Sequence, residues 1–192
     1  MPMSAALLTA LRPFGHLSVT DQQHFAAAWQ GRSATEGEVL FWAGPACLEL
    51  FFTEQGVLRS VARPSQGKEV THSFRREGQF CTVFTSFEAQ VPTPLSIQAA
   101  CPARVLAISR ARLEALYQQL PPLRELFARL TQHQLAEKLD LHRAYLGQDA
   151  AARYETFLTR QPEVARRVPQ QMVASYLGVT PQSLSRLRRS AP

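Results

Sequence analysis

The C-terminal end of the chain constrains the fold most, because residues 170–189 carry the pattern of two short helices joined by a tight turn. Gly178 stands where such a turn requires a positive φ angle, which glycine adopts at little steric cost. Thr180 is a good N-cap residue, and Pro181 suits the first position of the second helix. The apolar residues expected on the inner face of the first helix are Val173, Ala174 and Leu177. The pattern predicts a helix-turn-helix.

The second helix of this motif has apolar residues on one side and hydrogen-bond donors on the other. Leu184 and Leu187 are three residues apart, so both face back toward the first helix. The remaining positions include no acidic residue and suit the major groove of DNA. The residues predicted to contact DNA are Gln171, Thr180, Gln182, Ser183, Ser185, Arg186, Arg188 and Arg189. The alternative is an ordinary amphipathic helix pair packed on a core.

The distribution of charge favours DNA binding. Residues 150–192 contain seven Arg and two acidic residues, a net charge of +5, whereas residues 1–149 contribute only +1. Attraction to phosphates supplies much of the affinity for DNA, so this asymmetry fits a DNA-reading segment. Arg153 and Arg160 are interpreted as solvated helix charges. The arginines expected to touch phosphates rather than bases are Arg166, Arg167, Arg188 and Arg189.

Composition excludes several classes of protein. A length of 192 residues with 45% hydrophobic residues fits one sizeable globular domain or two small ones. No apolar run approaches the ~18 residues of a membrane span, and the N-terminus is a poor signal peptide, so we expect a cytoplasmic, bacterial-type protein without a membrane partner. Three widely spaced cysteines, Cys47, Cys81 and Cys101, are expected to be buried apolar residues. No metal site or cofactor is expected.

The middle of the chain has the pattern of an antiparallel β-structure. Over residues 33–108, short β-prone runs alternate with glycine-containing turns at intervals of roughly ten residues, as in a sandwich or roll. Residues 4–30 before it are predicted to be helical, with Ser18 or Thr20 as the cap of the second helix.

A long helix is predicted after the β-structure. Residues 123–146 contain neither Pro nor Gly and would form a helix about 36 Å long. Its apolar face is broader than a small roll can cover, which favours pairing with a second copy of the chain. The residues assigned to this dimer helix are Phe127, Leu130 and Leu141. The alternative is that the helix packs only on its own domain.

The order of these segments resembles the Crp/Fnr family of bacterial transcription regulators. The similarity is most specific in ARYETFL and in RVPQQMVASYLGVTPQSLSRLRR, and it extends to LSIQAACPARVLAISRARLEALY. The resemblance implies an α+β fold in three parts: a jelly-roll-like, cyclic-nucleotide-binding-like sensor domain (residues 1–120), a dimerisation helix (121–147) and an all-α, winged helix-turn-helix domain (148–192). A wing strand would have to precede the motif or be absent. The implied partners are double-stranded DNA, a second copy of the chain, a small-molecule effector and RNA polymerase.

The recognition helix departs from the family's usual Ser-Arg-Glu-Thr-Val-x-Arg. Pro181 replaces the first Arg and Gln182 replaces the Glu, whereas the later Arg is kept as Arg186. Arg typically reads guanine and Glu reads cytosine, but Gln can pair with adenine. The resemblance therefore implies a target sequence different from the best-known operator of the family.

The effector pocket departs further from the family. Cyclic-nucleotide members use a Glu for the ribose and an Arg for the cyclic phosphate, but no Arg or Lys occurs here between Arg76 and Arg104. A buried phosphate without a cationic partner is costly, so we expect the effector not to be cyclic AMP. The residues assigned to a candidate pocket are Phe80, Phe84, Thr85, Ser86, Phe87, Thr93 and Ser96. These side chains would hold a less charged ligand or simply fill the space.

The predicted function is a homodimeric transcription regulator. The second interpretation is a sensory module that binds a ligand or a protein and does not read DNA. An enzyme is disfavoured, because the sequence contains no nucleophile elbow, P-loop, GxGxxG motif or metal constellation.

Overall fold

The computed structural model describes residues 4–64 and 67–190. The ends of the first and last predicted domains, residues 1–3 and 191–192, lie outside the described residues. The eight strands of the described part are β1 (Gln30–Ala34), β2 (Val39–Phe41), β3 (Glu49–Gln55), β4 (Leu58–Ala62), β5 (Val70–Arg75), β6 (Phe80–Cys81), β7 (Leu95–Ala99) and β8 (Ala103–Ser109). The α-helices are α1 (Ser4–Leu11), α2 (Val19–Ala27), α3 (Phe84–Ala89), α4 (Arg110–Gln119), α5 (Pro121–Tyr145), α6 (Ala150–Arg160), α7 (Pro162–Arg167), α8 (Gln170–Leu177) and α9 (Pro181–Ser190).

The strands form two antiparallel sheets, which confirms the predicted α+β roll. The first sheet has the order β1-β8-β3-β6, and the second has the order β2-β7-β4-β5. Strands that are consecutive in sequence lie in different sheets at several points, so the chain crosses between the sheets as in a jelly roll. Strand β1 and helix α3 were not predicted from the sequence. The residues of β1 are mostly polar, and apolar and polar residues in α3 follow no clear helical or strand periodicity.

Apolar side chains fill the space between the two sheets. They come from every second position of the central strands, as expected when alternate residues of a strand point to opposite faces. The buried members of this interior cluster are Ala34, Leu40, Cys47, Phe51, Leu58, Cys81, Val83, Ile97, Ala99, Ala103, Val105 and Ala107. Cys47, Cys81 and Cys101 are all buried free thiols, as predicted.

A layer of helices covers the outer face of the first sheet. Leu50, Phe52 and Leu106 of the sheet pack against α1, α2, α4 and the first half of α5. Ser18 caps α2, because its hydroxyl accepts a hydrogen bond from the Asp21 amide at 3.1 Å. No helix in the described part of the chain is long and apolar enough to cross a membrane.

Two residues assigned to the dimer helix belong to this internal layer instead. Phe127 and Leu130 are 7% and 6% exposed, and both lie in the apolar cluster under α5. The Phe127 ring contacts the rings of Phe25 and Phe80 edge-on, at centroid distances of 6.0 and 5.6 Å. The expectation that these two side chains face a partner is therefore wrong, because the roll's own helical layer covers them.

The second half of α5 extends beyond the first sheet and exposes a different apolar stripe. Leu135 and Leu139 are 56% and 48% exposed, and Leu146 just after the helix is also exposed. Leu141 is half-buried and lies on another face of α5, toward the C-terminal helices.

The C-terminal helices share an apolar core with the roll. Val57, Phe74, Ala100 and Cys101 of the roll belong to one cluster with buried residues of α6 to α9. Its largest fully buried side chain is that of Phe157. All described residues after β8 are helical or in connecting turns, so this part shows no wing strand.

Candidate nucleic-acid interface

The turn between α8 and α9 has the geometry that its sequence predicts. Gly178 ends α8 with φ 69° and ψ 33°, in the left-handed region. The Val179 amide donates to the Ala174 carbonyl at 3.0 Å and closes the turn. The Thr180 hydroxyl then accepts from the Ser183 amide at 3.1 Å, which caps the first turn of α9.

Apolar packing sets the angle at which α9 leaves the turn. Leu184 is 1% exposed and Ala174 is fully buried, so the two helices approach each other closely at these positions. Leu187 is partly buried against the same cluster. The other side of α9 consequently points away from the core.

The outward side of α9 carries the predicted DNA contacts. It lacks acidic residues, and its last turn carries Arg188 and Arg189. The exposed side chains of α8, the turn and α9 that the sequence assigned to DNA are Gln171, Thr180, Gln182, Ser183, Ser185, Arg186, Arg188 and Arg189. The fold brings all eight to one end of the molecule, where a helix with donor groups could enter a groove.

Of four arginines on α6 and α7, Arg160 and Arg166 are exposed as expected, whereas Arg153 is half-buried and Arg167 is paired within the chain. Arg167 forms a bidentate ion pair with Glu77 of the roll, at 2.5 and 2.8 Å, so it joins two parts of the chain and is not available to a phosphate in this arrangement. Arg166 pairs with Glu163 and stays exposed. Arg153 and Arg160 line a cleft between the roll and the C-terminal helices.

Helix α8 docks directly on strand β5 of the roll. The Ser175 hydroxyl donates to the Glu69 carbonyl at 2.7 Å and accepts from the Thr71 amide at 2.9 Å. The Tyr176 ring packs edge-on against Phe74, with centroids 5.1 Å apart. The helix that precedes α9 is thus fixed to a β-strand by polar and apolar contacts.

A buried arginine orders the strand that receives α8. Arg59 is 3% exposed and lies on the face of the second sheet away from the interior cluster. Its guanidinium donates to Gln98 at 2.7 Å, Thr71 at 2.9 Å and Glu69 at 2.5 Å. These bonds satisfy the buried charge and hold residues 69–71 in place for Ser175.

Glu77 is the second anchor of the docked helices. It binds Arg167 through both carboxylate oxygens and also accepts from the Gly56 amide at 2.6 Å. Burial alone would raise the pKa of Glu77, but the hydrogen bonds from Arg167 and Gly56 outweigh it and lower the pKa below the ordinary value of 4.5.

Sequence reasoning missed these docking residues. Ser175 contacts a residue 106 positions away, and Arg167 contacts one 90 positions away. No local hydrophobic periodicity and no sequence motif predicts contacts between residues so far apart in the chain. The only signal in the sequence is that Ser175 is a polar residue among the apolar positions of a short helix.

The residues assigned to an effector pocket do not line one cavity inside the roll. Phe80 and Phe87 lie in the helical layer outside the first sheet, and Phe84 and Thr85 are exposed on α3. The three buried hydroxyls are committed to backbone groups of the roll: Ser86 to Cys47 and Val91, Thr93 to Leu95, and Ser96 to Ala43. Phe80, Phe84 and Phe87 do line one cavity, between α3, α4 and α5 outside the first sheet, but Thr85, Ser86, Thr93 and Ser96 do not. The expectation of one pocket that holds all seven residues is therefore wrong, and side chains fill the space between the sheets.

One cation approaches α3 from a later part of the chain. Arg110 donates to the Phe87 carbonyl, stands over the Phe87 ring at 5.4 Å and lies 3.8 and 3.6 Å from Glu88 and Glu114. Its guanidinium is thus surrounded by acceptors of the chain itself. This arrangement does not replace the phosphate-binding arginine that the sequence lacks between Arg76 and Arg104.

Comparison with known proteins identifies the roll. Residues 31–120 match the family model of the cyclic nucleotide-binding domain. The match begins in β1 and ends after α4, so it covers both sheets and α3. This segment of the chain is therefore similar to that family. No curated protein sequence matches the chain.

Solved structures share the fold over most of the chain. The c-di-GMP responsive global regulator CLP of Xanthomonas campestris has a TM-score of 0.71 at 17% identity, over 90% of this chain and 91% of that one. FixK2 of Bradyrhizobium japonicum has a TM-score of 0.67 at 22% identity, over 84% and 83%. The catabolite activator protein of Thermus thermophilus has a TM-score of 0.56 at 21% identity, over 94% and 85%. At these identities the likeness shows the fold alone.

The Glu77 anchor predicts a pH dependence of stability. Because its folded-state pKa is lowered, Glu77 stabilises the docked state fully above about pH 4.5, and this stabilisation is lost as the pH falls through the lowered value. The variant Glu77→Gln should therefore lose less stability than the wild type between pH 6 and pH 3 in urea unfolding. The control Glu155→Gln, at an exposed position of α6, should follow the wild type. Parallel profiles for wild type and Glu77→Gln would contradict this role.

Proposed function

We propose that the chain is a DNA-binding transcription regulator that works as a homodimer, reads a major groove with α9 and resides in the bacterial cytoplasm. The observation that carries the proposal is the outward side of α9, which presents hydrogen-bond donors and no acidic residue. On the inner side, Leu184 and Leu187 pack against the apolar core of the C-terminal helices. The local net charge of +5 adds attraction to the phosphate backbone. The solved structures that share the fold include regulators, which supports the same conclusion.

The residues of this surface divide into two roles. Gln182, Ser183, Ser185 and Arg186 occupy the first turns of α9, the part of a recognition helix that reaches base edges. Arg188 and Arg189 in the last turn contact phosphates and set position rather than sequence. Thr180 caps α9 at the end that enters the major groove. Its side chain adds a contact to the DNA backbone.

Dimerisation uses the exposed stripe of α5. Leu135, Leu139 and Leu146 are large apolar side chains that the chain's own core leaves uncovered. Pairing α5 with a second copy would bury them and place two α9 helices on successive half-sites. Such a dimer could also present a surface to RNA polymerase.

Among the residues that the structure describes, the roll shows no site for cyclic AMP. Its interior is packed with apolar side chains, and the hydroxyls of Ser86, Thr93 and Ser96 are bonded to the backbone. The effector of the regulator is accordingly a different molecule.

The first prediction concerns base reading by Arg186. Arg186→Ala should weaken binding to a duplex selected from a random pool by about 5- to 100-fold, the ~1–3 kcal/mol of a bidentate base contact. Binding to random DNA should change far less, and both can be measured by fluorescence anisotropy. The control Arg104→Ala removes an arginine that is 55% exposed on β8 of the roll and should change neither affinity. Equal losses on both duplexes would assign Arg186 to the phosphate backbone.

The second prediction concerns the dimer. The double variant Leu135→Glu, Leu139→Glu should sediment as a monomer at micromolar concentration, because four buried charges cannot be accommodated in a helix pair. Leu48→Glu alters a leucine of the roll that is 46% exposed and should remain a dimer. A wild-type chain that sediments as a monomer at this concentration would end the dimer hypothesis.

The third prediction concerns the effector. Titration calorimetry of the purified chain with cyclic AMP and with cyclic GMP should give no binding in the micromolar range. Low-micromolar affinity for either nucleotide, accompanied by tighter DNA binding and unchanged in Arg75→Gln and Arg153→Gln, would show that the roll holds a phosphate without the usual arginine.

A further inference from the structure

One cavity of the described structure lies outside the roll. It has a volume of about 620 Å³ and opens between β5, the second half of α5, α6 and α8. We refer to it as the interdomain cleft. One face of α5 contributes Gln134, Lys138, Leu141 and Tyr145, which follow each other at helical spacing.

Positive charge dominates the walls of the interdomain cleft. Five Lys and Arg side chains from three elements converge on it, and none of them forms a salt bridge within the described residues. These cations are Arg75, Arg76, Lys138, Arg153 and Arg160. The two acidic residues of the lining lie beside basic groups of their own helix: Glu137 is 3.5 Å from His133, and Asp140 is 3.6 Å from Arg143.

The cations come from different elements of the cleft wall. Arg153 and Arg160 are seven residues apart and share one face of α6. Partial burial lowers the pKa of the His72 imidazole on β5, and the charge of Lys138 on α5 lowers it further. Like charges drawn together in this way favour a bound anion.

One of these cations has an unsatisfied buried donor. The Nε atom of Arg153 is buried and has no hydrogen-bond partner in the described structure. A buried donor without a partner is costly, so a native structure usually supplies an acceptor. Because this atom has almost no accessible surface, an acceptor in the cleft reaches it only when the Arg153 side chain shifts.

The inner wall of the cleft is aromatic and hydrogen-bonded. The rings of Tyr145 and Tyr176 meet edge-on at 6.0 Å, and the Gln161 amide donates to both hydroxyls, at 3.5 and 3.2 Å. Tyr176 also packs on Phe74, so this wall is continuous with the contact that docks α8 on β5.

We infer that the interdomain cleft binds a small molecule through a phosphate or diphosphate group. Arg153 and Arg75 contact the phosphate oxygens from opposite walls, and Lys138 and Arg160 neutralise the remaining charge. The tyrosine wall accepts the uncharged part of the ligand. Because the cleft joins β5, α5 and the helices that carry α9, the ligand would stabilise one arrangement of the helix pair relative to the roll. This deepens the proposed function, since it supplies the effector that the filled roll does not.

Calorimetric titration with inorganic pyrophosphate and with ADP tests the inference. Both probes should bind the full-length chain, and added salt should weaken binding. Arg153→Gln and Arg75→Gln should each weaken binding at least about tenfold, since each removes a charged hydrogen bond. The control Arg112→Gln removes an exposed arginine of α4 and should leave the affinity within about twofold. Tighter binding of ADP than of pyrophosphate identifies a nucleotide-like ligand, and equal binding identifies recognition of the phosphate group alone.

Two outcomes would overturn the inference. One is that neither probe binds at millimolar concentration. The other is that Arg188→Gln, on α9, weakens binding while Arg153→Gln and Arg75→Gln do not, because the probes would then occupy the DNA-binding surface. These results leave the proposed function standing, since DNA binding is measured independently with duplexes and without either probe.

Discussion

The docking of the C-terminal helices on the second β-sheet is the contact on which the rest of the structure depends. Phe74 and Val57 of the roll lie in one apolar cluster with Phe157 and Leu184, so the roll and the helix pair share a core. Polar anchors flank this cluster, with Ser175 bonded to the backbone of β5 and Arg167 paired with Glu77. The position of α9 relative to the roll follows from these contacts.

The same docking explains both proposed surfaces. It fixes the inner side of α8 and α9, so the donor side of α9 remains outside. It also creates the interdomain cleft, because α5 passes between the roll and the docked helices. A ligand in the cleft and DNA on α9 would therefore act on the same contact between the roll and the C-terminal helices. Coupling between them requires only that the ligand favour one of two docked arrangements.

Local features could be predicted from the sequence, and long-range ones could not. The turn at Gly178 and the cap at Thr180 depend on neighbouring residues, so the helix pair was predicted nearly to its ends. The assignment of Phe127 and Leu130 to a partner failed because helical periodicity identifies an apolar face but not what covers it. The pocket assignment failed because it relied on sequence spacing around the unpredicted helix α3, which separates Phe84 from Phe87 in exposure.

The central claim is that α9 reads a DNA sequence. The most direct measurement is selection of duplexes from a random pool by the full-length chain, followed by sequencing over several rounds. We expect enrichment of one sequence that contains two related half-sites about one helical turn apart. We also expect this sequence to differ from the best-known operator of the Crp/Fnr family, because Pro181 and Gln182 replace the usual Arg and Glu. A pool that stays random after selection, with the chain folded and binding no duplex above background, would contradict the account.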